Sequence, residues 1–248
     1  MASVKPPIQR LLIVANGNCD QATLFRCQAE APDKIIAVDG GLRHCLVASL
    51  VPDVLLGDFD SAAQPSLDKL DPSKTRLVDF PAEKDATDLE LALQYANTEF
   101  AQRPATESPD SVTTSAAVPE LEVMLAGLSG GRTDHMLANW MLLANSEWRF
   151  RISVFDALGV AYLVTPATSR EVNLVPGTTF SLLPLTTTSG VTIEGAKYPL
   201  SDAVLYPYRS RGISNVTSTE SNNGRLAVRI NDGFLLLYVN IENDNTLE

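Results

Sequence analysis

Two carboxylates one residue apart, Asp58 and Asp60 in Gly57-Asp58-Phe59-Asp60-Ser61, are the first residues whose types and spacing can do chemistry. Like charges this close repel, so one carboxyl stays protonated or a cation joins the pair. Mg2+ suits such a place, because it takes one or two carboxylates and completes its shell with water and substrate phosphate oxygens. On that reading the stretch is a magnesium–nucleotide site. The alternative is an acidic turn in which Asp60 or Ser61 caps the next helix. The stretch taken alone leaves both open.

Three more clusters carry the same double meaning. In Lys84-Asp85-Ala86-Thr87-Asp88-Leu89-Glu90, Thr87 and Glu90 have capping-box spacing, and Asp88 complements the helix dipole. Capping accounts for Thr87, Asp88 and Glu90 but not for Lys84 and Asp85 just outside the helix. A lysine beside a helix N-terminus can clamp a phosphate, and a capping residue can still aim a carboxylate at a metal. In Gly130-Gly131-Arg132-Thr133-Asp134-His135, a Gly-Gly turn exposes backbone N–H groups to an anion and Arg132 adds a forked cation. Asp134 can cap the helix or reach a metal or a sugar, and His135 reads as a polar surface contact rather than a base. Asp39-Gly40-Gly41 is a capping aspartate with a turn, or a further acid at the same rim. Asn16-Gly17-Asn18 is a turn, or a place where glycine lets backbone approach a phosphate. Neither G-x-G-x-x-G nor a Walker loop occurs.

The elements that must position these groups are short apolar runs alternating with helical stretches. Leu11–Ala15, Lys34–Val38, Val54–Leu56, Arg76–Phe80, Glu122–Leu128 and Arg151–Phe155 read as strands. Helices are expected at Gln21–Ala29, from Gly41 through Leu50, around Ser66–Leu70, from Thr87 through Tyr95, and over Met136–Asn145. This alternation predicts a parallel sheet, with each cluster at the C-terminal end of a strand, the edge where open α/β sheets bind ligands. Residues 101–120, rich in Ser, Thr, Pro and Ala, read as a long surface loop without catalytic duty. From Gly159 the texture changes to short alternating segments: Ala161–Val164, Thr179–Leu183, Val191–Glu194, Arg225–Ile230 and Phe234–Val239. That predicts a small sandwich. The fold class is therefore α/β: an N-terminal parallel-sheet nucleotide-binding domain over residues 1–157, followed by a smaller all-β sandwich domain over 158–248.

Bulk properties narrow the classes. The 248 residues are 45% hydrophobic, enough for a proper core. No run approaches the roughly 20 apolar residues of a membrane span, and Met1 to Arg10 hold no apolar signal region. Three cysteines, Cys19, Cys27 and Cys45, without a C-x-x-C pair predict reduced thiols in a cytoplasmic protein. The only histidines, His44 and His135, argue against a His/Cys zinc site. A net charge of −11 argues against nucleic acid as a partner. An acidic protein that holds a triphosphate needs local cations, a metal or a few placed Lys and Arg.

In order, Asp39-Gly40-Gly41, Gly57-Asp58-Phe59-Asp60-Ser61, Lys84-Asp85-Ala86-Thr87-Asp88 and Gly130-Gly131-Arg132-Thr133-Asp134-His135 are joined by Gly195-Ala196-Lys197-Tyr198-Pro199-Leu200 and Gly212-Ile213-Ser214-Asn215. This ordered set closely resembles the bacterial thiamine pyrophosphokinases. The likeness runs through both halves and leaves out mainly the extreme N-terminus and residues 101–120. It implies an α/β nucleotide domain followed by a β-sandwich, and transfer of the terminal diphosphate of ATP to the hydroxyethyl oxygen of thiamine, leaving AMP. It implies Mg2+ on Asp58, Asp60 and Asp88, which also act at the phosphates. ATP would be positioned by Asn16, Asp39, Gly40, Lys84, Asp85, Thr87, Gly131, Arg132 and Asp134. Thiamine would meet Tyr198, Ser214 and Asn215; by itself Tyr198 reads as a sandwich-edge aromatic covering the core. The family works as a homodimer with its thiamine site at the subunit interface. Two departures stand out: Val216 where many relatives carry Glu, and Ala196 where Leu is frequent. Both bear on thiamine and leave the ATP half untouched. Two other readings remain: a diphosphokinase for another hydroxymethyl heterocycle such as a pterin, and a nucleotide- or thiamine-sensing module without turnover.

Overall fold

The computed structural model describes residues 8–58, 70–80, 85–101, 120–219 and 224–241. The fold is mixed α/β, with a large sheet and a second sheet of four strands. The chain divides into two compact units, one drawn from residues 1–139 and 146–152, the other from 140–145 and 153–248. Among the described residues no helix is long and apolar enough to cross a membrane.

Among the described residues the first unit carries five parallel strands in the order β5-β1-β2-β3-β4. They are β1 (Ile8–Val14), β2 (Lys34–Val38), β3 (Val54–Gly57), β4 (Arg76–Asp79) and β5 (Glu120–Ala126). Leu11, Leu12, Ile13 and Val14 are all 0% exposed, so both faces of β1 are covered. A parallel strand covered on both faces reads as a continuous apolar run rather than an alternation. Among the described residues the helices are α1 (Gln21–Ala29), α2 (Gly41–Val47), α3 (Asp88–Glu99) and α4 (Thr133–Leu142). The Asp20 carboxylate accepts from Thr23 N at 2.7 Å and starts α1. The Thr87 hydroxyl accepts from Glu90 N at 3.2 Å and starts α3. Both satisfy N–H groups that a helix start leaves without an internal partner. α3 buries Leu89, Ala92, Leu93 and Ala96, one face at i, i+3, i+4 and i+7.

The pairing of β1 with β5 continues past the strand ends. Ala15 N donates to Ala126 O at 2.8 Å, Gly17 N to Gly127 O at 2.8 Å, and Asn18 N to Ser129 O at 2.6 Å. A Cβ at Gly17 would collide with the carbonyl oxygens of Gly127 and Ser129. Gly127 sits at φ +77°, and a Cβ there would meet the carbonyl oxygen of Ala15. Only glycine lets these two turns lie this close.

The second unit is antiparallel. Its strands are β6 (Arg151–Asp156, paired here through Ser153–Asp156), β7 (Gly159–Val164), β8 (Arg170–Asn173), β9 (Thr179–Pro184), β10 (Thr188–Glu194), β11 (Leu200–Leu205), β12 (Asn215–Val216), β13 (Arg225–Arg229) and β14 (Leu235–Asn240). They run β6-β7-β14-β9-β12 in one layer and β11-β10-β13-β8 in the other. Phe180, Leu182, Leu235 and Leu237 of the first layer and Val191, Ile193, Leu226 and Val228 of the second form one apolar core. That shared core is why β9 and β13 alternate between buried and partly exposed positions. At the β6–β7 turn the Asp156 carboxylate accepts from Leu158 N, Gly159 N and the Tyr238 hydroxyl at 2.8, 3.0 and 2.9 Å.

Several elements differ from the sequence expectation. α2 stops at Val47 rather than Leu50, with Ser49 in the left-handed region at φ 57°. α4 begins at Thr133, three residues before the expected Met136, and ends at Leu142. β8, β11 and β12 carry little alternation; β8 and β12 exist through partners distant in sequence, and β11 pairs with the preceding strand β10 across two register shifts. The helix expected around Ser66–Leu70 and the loop expected over 101–120 fall almost wholly outside the described residues.

Leu93 is fully buried on α3, whereas Val47 at the end of α2 is 72% exposed. Leu93→Ala is expected to cost about 2–5 kcal/mol in denaturant unfolding. Val47→Ala, which leaves no cavity, should stay within about 0.5 kcal/mol.

Candidate active site

A cleft of about 620 Å³ lies in the first unit, along the C-terminal ends of its parallel strands. Asn16 and Gly17 reach it from the end of β1, Asp39 from β2 and Asp58 from β3. Asp85, Thr87 and Asp88 come from the start of α3, and Gly130, Gly131 and Arg132 from the turn after β5. The cleft thus brings together Asn16, Asp39, Asp58, Asp85, Thr87, Asp88, Gly131 and Arg132 of the residues singled out in the sequence. Gly40 and Asp134 are not on its lining, and Asp60 and Lys84 lie outside the described residues. Among the described residues no three His, Cys, Asp or Glu side chains form a group able to hold a metal ion.

Asp39 is placed by a short chain of contacts. Its N–H donates to Leu56 O at 2.7 Å. Its backbone is left-handed, φ 45°, although it is not glycine. Asn16 Nδ2 donates to Asp39 Oδ2 at 3.3 Å, and Asn16 Oδ1 accepts from Arg43 Nη2 at 2.8 Å. Gly40 serves this arrangement from behind, because a Cβ there would overlap the Asn16 carboxamide. Gly57 lets Asp39 pack against β3: a Cβ at Gly57 would stand 3.3 Å from Asp39 Cα.

His44 on α2 braces the neighbouring residue. Its Nε2 lies 2.7 Å from Gly17 O, and a carbonyl only accepts, so Nε2 carries the proton. Burial is the main cause that pushes the His44 pKa below its usual value; the bond to Gly17 opposes it and the Arg43 charge adds to it.

Across the cleft, Gly130 at φ +87° packs where a Cβ would overlap the Asn18 side chain, and Gly131 is left-handed at φ +67°. Arg132 is held by two bonds to Asp134, from Nε to Oδ1 at 3.2 Å and from Nη2 to Oδ2 at 2.6 Å. These bonds hold the Asp134 carboxyl down at about 2. Both side chains are exposed, so the pair adds little stability, but the fork fixes the direction of the guanidinium.

His135, Met136 and Asn139 also line the cleft. By sequence His135 reads as a polar surface contact, and Met136 and Asn139 carry no assigned role. Helical spacing was the usable signal: 135, 136 and 139 follow Arg132 at i+3, i+4 and i+7, on one face of α4. Asn139 Nδ2 also donates to Leu128 O at 3.4 Å and ties α4 to the end of β5.

In the second unit, Tyr198 and Asn215 meet directly. Asn215 Nδ2 donates to Tyr198 O at 2.8 Å, while Asn215 Oδ1 accepts from Tyr198 N at 3.2 Å and from Val216 N at 2.8 Å. Asn215 is buried and spends its carboxamide on backbone, pinning the segment that carries Tyr198. Tyr198 is 59% exposed, at odds with a role as a cover for the core. Lys197 Nζ stands 5.5 Å from the ring centroid. Ser214 is left-handed at φ 57°, and its N–H donates to Ser181 Oγ at 3.1 Å.

Residues 26–155 match the family model of the thiamin pyrophosphokinase catalytic domain, and residues 168–231 match that of the thiamin pyrophosphokinase vitamin B1 binding domain. A thiamine pyrophosphokinase of Bacillus subtilis is 28% identical over 176 residues, which is 67% of this chain and 70% of the relative. The crystal structure of a thiamin pyrophosphokinase family protein from Enterococcus faecalis is similar at a TM-score of 0.67 and 26% identity, over 95% of this chain and 100% of that one. The thiamin pyrophosphokinase of Geobacillus thermodenitrificans gives a TM-score of 0.68 at 25% identity, over 95% and 99%. With a catalytic-domain match followed by a binding-domain match in one chain, the protein belongs to the thiamin pyrophosphokinase family, and it is a transferase enzyme.

Two outcomes are expected from this geometry. The unfolded chain takes up a proton at His44 near its ordinary pKa of about 6.5, and the folded chain resists that proton to lower pH. The contribution of His44 is therefore complete above that value and is lost as pH falls through the depressed folded pKa. Unfolding free energies at pH 7.5 and pH 5 should fall more in the parent than in His44→Gln. Asn215→Ala leaves the N–H groups of Tyr198 and Val216 without their acceptor and should cost about 1–3 kcal/mol in the same measurement.

Proposed function

We propose that the protein is a thiamine diphosphokinase, moving the terminal diphosphate of ATP to the hydroxyl of thiamine and giving thiamine diphosphate and AMP. One observation carries this reading: Asp58 at the end of β3, Asp88 at the start of α3 and Arg132 in the turn after β5 line one cleft at the C-terminal edge of a parallel sheet. The family matches, catalytic domain first and vitamin B1 binding domain second, support it.

In this reading residues 1–157 are the ATP-binding catalytic domain, and residues 158–248 bind thiamine and make the dimer. ATP is positioned by Asn16, Asp39, Gly40, Lys84, Asp85, Thr87, Gly131, Arg132 and Asp134. Arg132, forked and held in direction by Asp134, grips phosphate oxygens. The hydroxyl oxygen of thiamine attacks the β-phosphorus, the bond from that phosphorus to the bridging oxygen of AMP breaks, and the hydroxyl proton passes to a carboxylate, which we assign to Asp88. Catalysis of such a transfer is mainly positioning and electrostatics.

The donor chemistry fits Mg2+, because Asp58 and Asp88 offer hard carboxylate oxygens to the same cleft. Asp58, Asp60 and Asp88 would hold it, and when bound it would neutralise charge on the phosphate oxygens. Thiamine carries a fixed positive thiazolium, which an exposed Tyr198 face would stabilise by roughly 0.5–2 kcal/mol. Ser214 completes that site, with Asn215 acting through the Tyr198 backbone. The protein works as a cytoplasmic homodimer in which Tyr198 serves the partner's site.

The test supplies ATP, Mg2+ and thiamine and separates the nucleotides. AMP that appears only with thiamine is expected; ADP without AMP would make the protein an ordinary kinase and overturn the reading. A hydroxymethyl pterin in place of thiamine should give no AMP. Asp88→Asn is expected to lower kcat by about 100-fold or more while the thermal midpoint holds.

A further inference from the structure

Arg43 and His44 are neighbours on α2, and neither lines the cleft. Each holds a residue that does. Arg43 Nη2 donates to Asn16 Oδ1 at 2.8 Å, and Asn16 Nδ2 passes the connection on to Asp39 Oδ2 at 3.3 Å. A guanidinium only donates, so the Asn16 carboxamide has one orientation, with its nitrogen towards Asp39. His44 Nε2 donates to Gly17 O at 2.7 Å.

In the Asn16–Asn18 turn, Gly17 and Asn18 do not spend their N–H groups on the cleft. Gly17 N and Asn18 N donate to Gly127 O and Ser129 O, at 2.8 and 2.6 Å. Gly130 packs on the Asn18 side chain. The turn is therefore a rigid link, not an anion cradle. On one side it reaches Asp39, and on the other it reaches the turn that carries Arg132.

We infer that Arg43 and His44 are positioning residues for the nucleotide side of the cleft. Arg43 holds Asp39 through Asn16, and His44 holds the Gly127–Arg132 turn through Gly17. This rests on the reading that the cleft takes ATP. Arg43 is exposed, and an exposed charged side chain contributes little to stability. Its loss should therefore loosen the cleft without loosening the fold, and a small misplacement of a binding group has a large kinetic effect.

Three variants test this: Arg43→Met removes the donors and keeps the stem, His44→Phe removes the donor and keeps a ring, and His44→Gln restores a donor. ATP and thiamine are varied separately. Arg43→Met and His44→Phe are expected to raise the KM for ATP about tenfold and leave the KM for thiamine in place, with the thermal midpoint also unmoved in Arg43→Met, and His44→Gln should recover most of the loss. The same contrast is expected in the Kd of a non-hydrolysable ATP analogue, which does not depend on turnover. An unchanged ATP KM and Kd in Arg43→Met overturns the inference. So does an equal rise for both substrates, or a His44→Gln no better than His44→Phe. If His44→Phe does not fold, Arg43→Met on the exposed face decides alone. A parent that binds the analogue with this contrast but forms no AMP from thiamine would overturn the proposed function and leave the positioning roles standing. A parent that does not bind the analogue overturns both.

Discussion

The cleft depends on backbone hydrogen bonds that run on after β1 and β5 have ended. Parallel strands deliver their C-terminal ends to one edge, but the loops beyond them have no ladder of their own and unpaired polar groups to satisfy. Here the N–H groups of Gly17 and Asn18 find the carbonyls of Gly127 and Ser129, so two loops behave as one body. The arrangement requires glycine at 17 and 127, since either Cβ would occupy the space of a facing carbonyl oxygen. Glycine loses more conformational freedom on folding than any other residue, a cost the shared bonds offset. Asp39 adds a second local cost. A left-handed backbone in a residue with a Cβ is unfavourable by roughly 1–2 kcal/mol, and the bonds from Asp39 N to Leu56 O and from Asn16 to its carboxyl hold it there. Such strain survives only where the surroundings over-determine it, which is characteristic of sites.

How much of this could be read from residues alone follows from how local each cause is. β1, β2, β3 and β5 were legible because strands buried on both faces are written as unbroken apolar runs. The starts of α1 and α3 follow from side chains that bond three residues away, Asp20 to Thr23 and Thr87 to Glu90. The position of the site at the strand ends was legible for the same reason: every cluster follows an apolar run. What each polar residue does there was not. Asp134 and Arg132 are two residues apart and both chemically suited to a phosphate, yet the structure turns the acid onto the arginine. Gly40 works by making room for Asn16, a contact across 24 positions that no spacing rule shows. In the second unit, β8 and β12 depend on the distant partners β13 and β9, and β11 meets the neighbouring β10 through two register shifts.

Asn215 illustrates how a motif residue can have two meanings at once. The same carboxamide that a ligand could use is committed, on both sides, to the backbone of Tyr198 and Val216. A buried amide with its partners in place is worth more as a brace than as a contact, because releasing it would strand several polar groups. The departure at Val216 sits on the strand residue that this amide holds, so a change of side chain there can be absorbed while the loop keeps its shape.

The thiols carry a practical consequence. Cys27 and Cys45 are buried and Cys19 is partly covered, and burial pushes the first two up to about 12 and the third to about 11. Alkylating and oxidising reagents attack the thiolate, which such groups hardly populate near neutrality. The packing that seats α1 and α2 therefore doubles as a chemical shield, and a single engineered surface cysteine could carry a dye while the native sulfurs stay untouched.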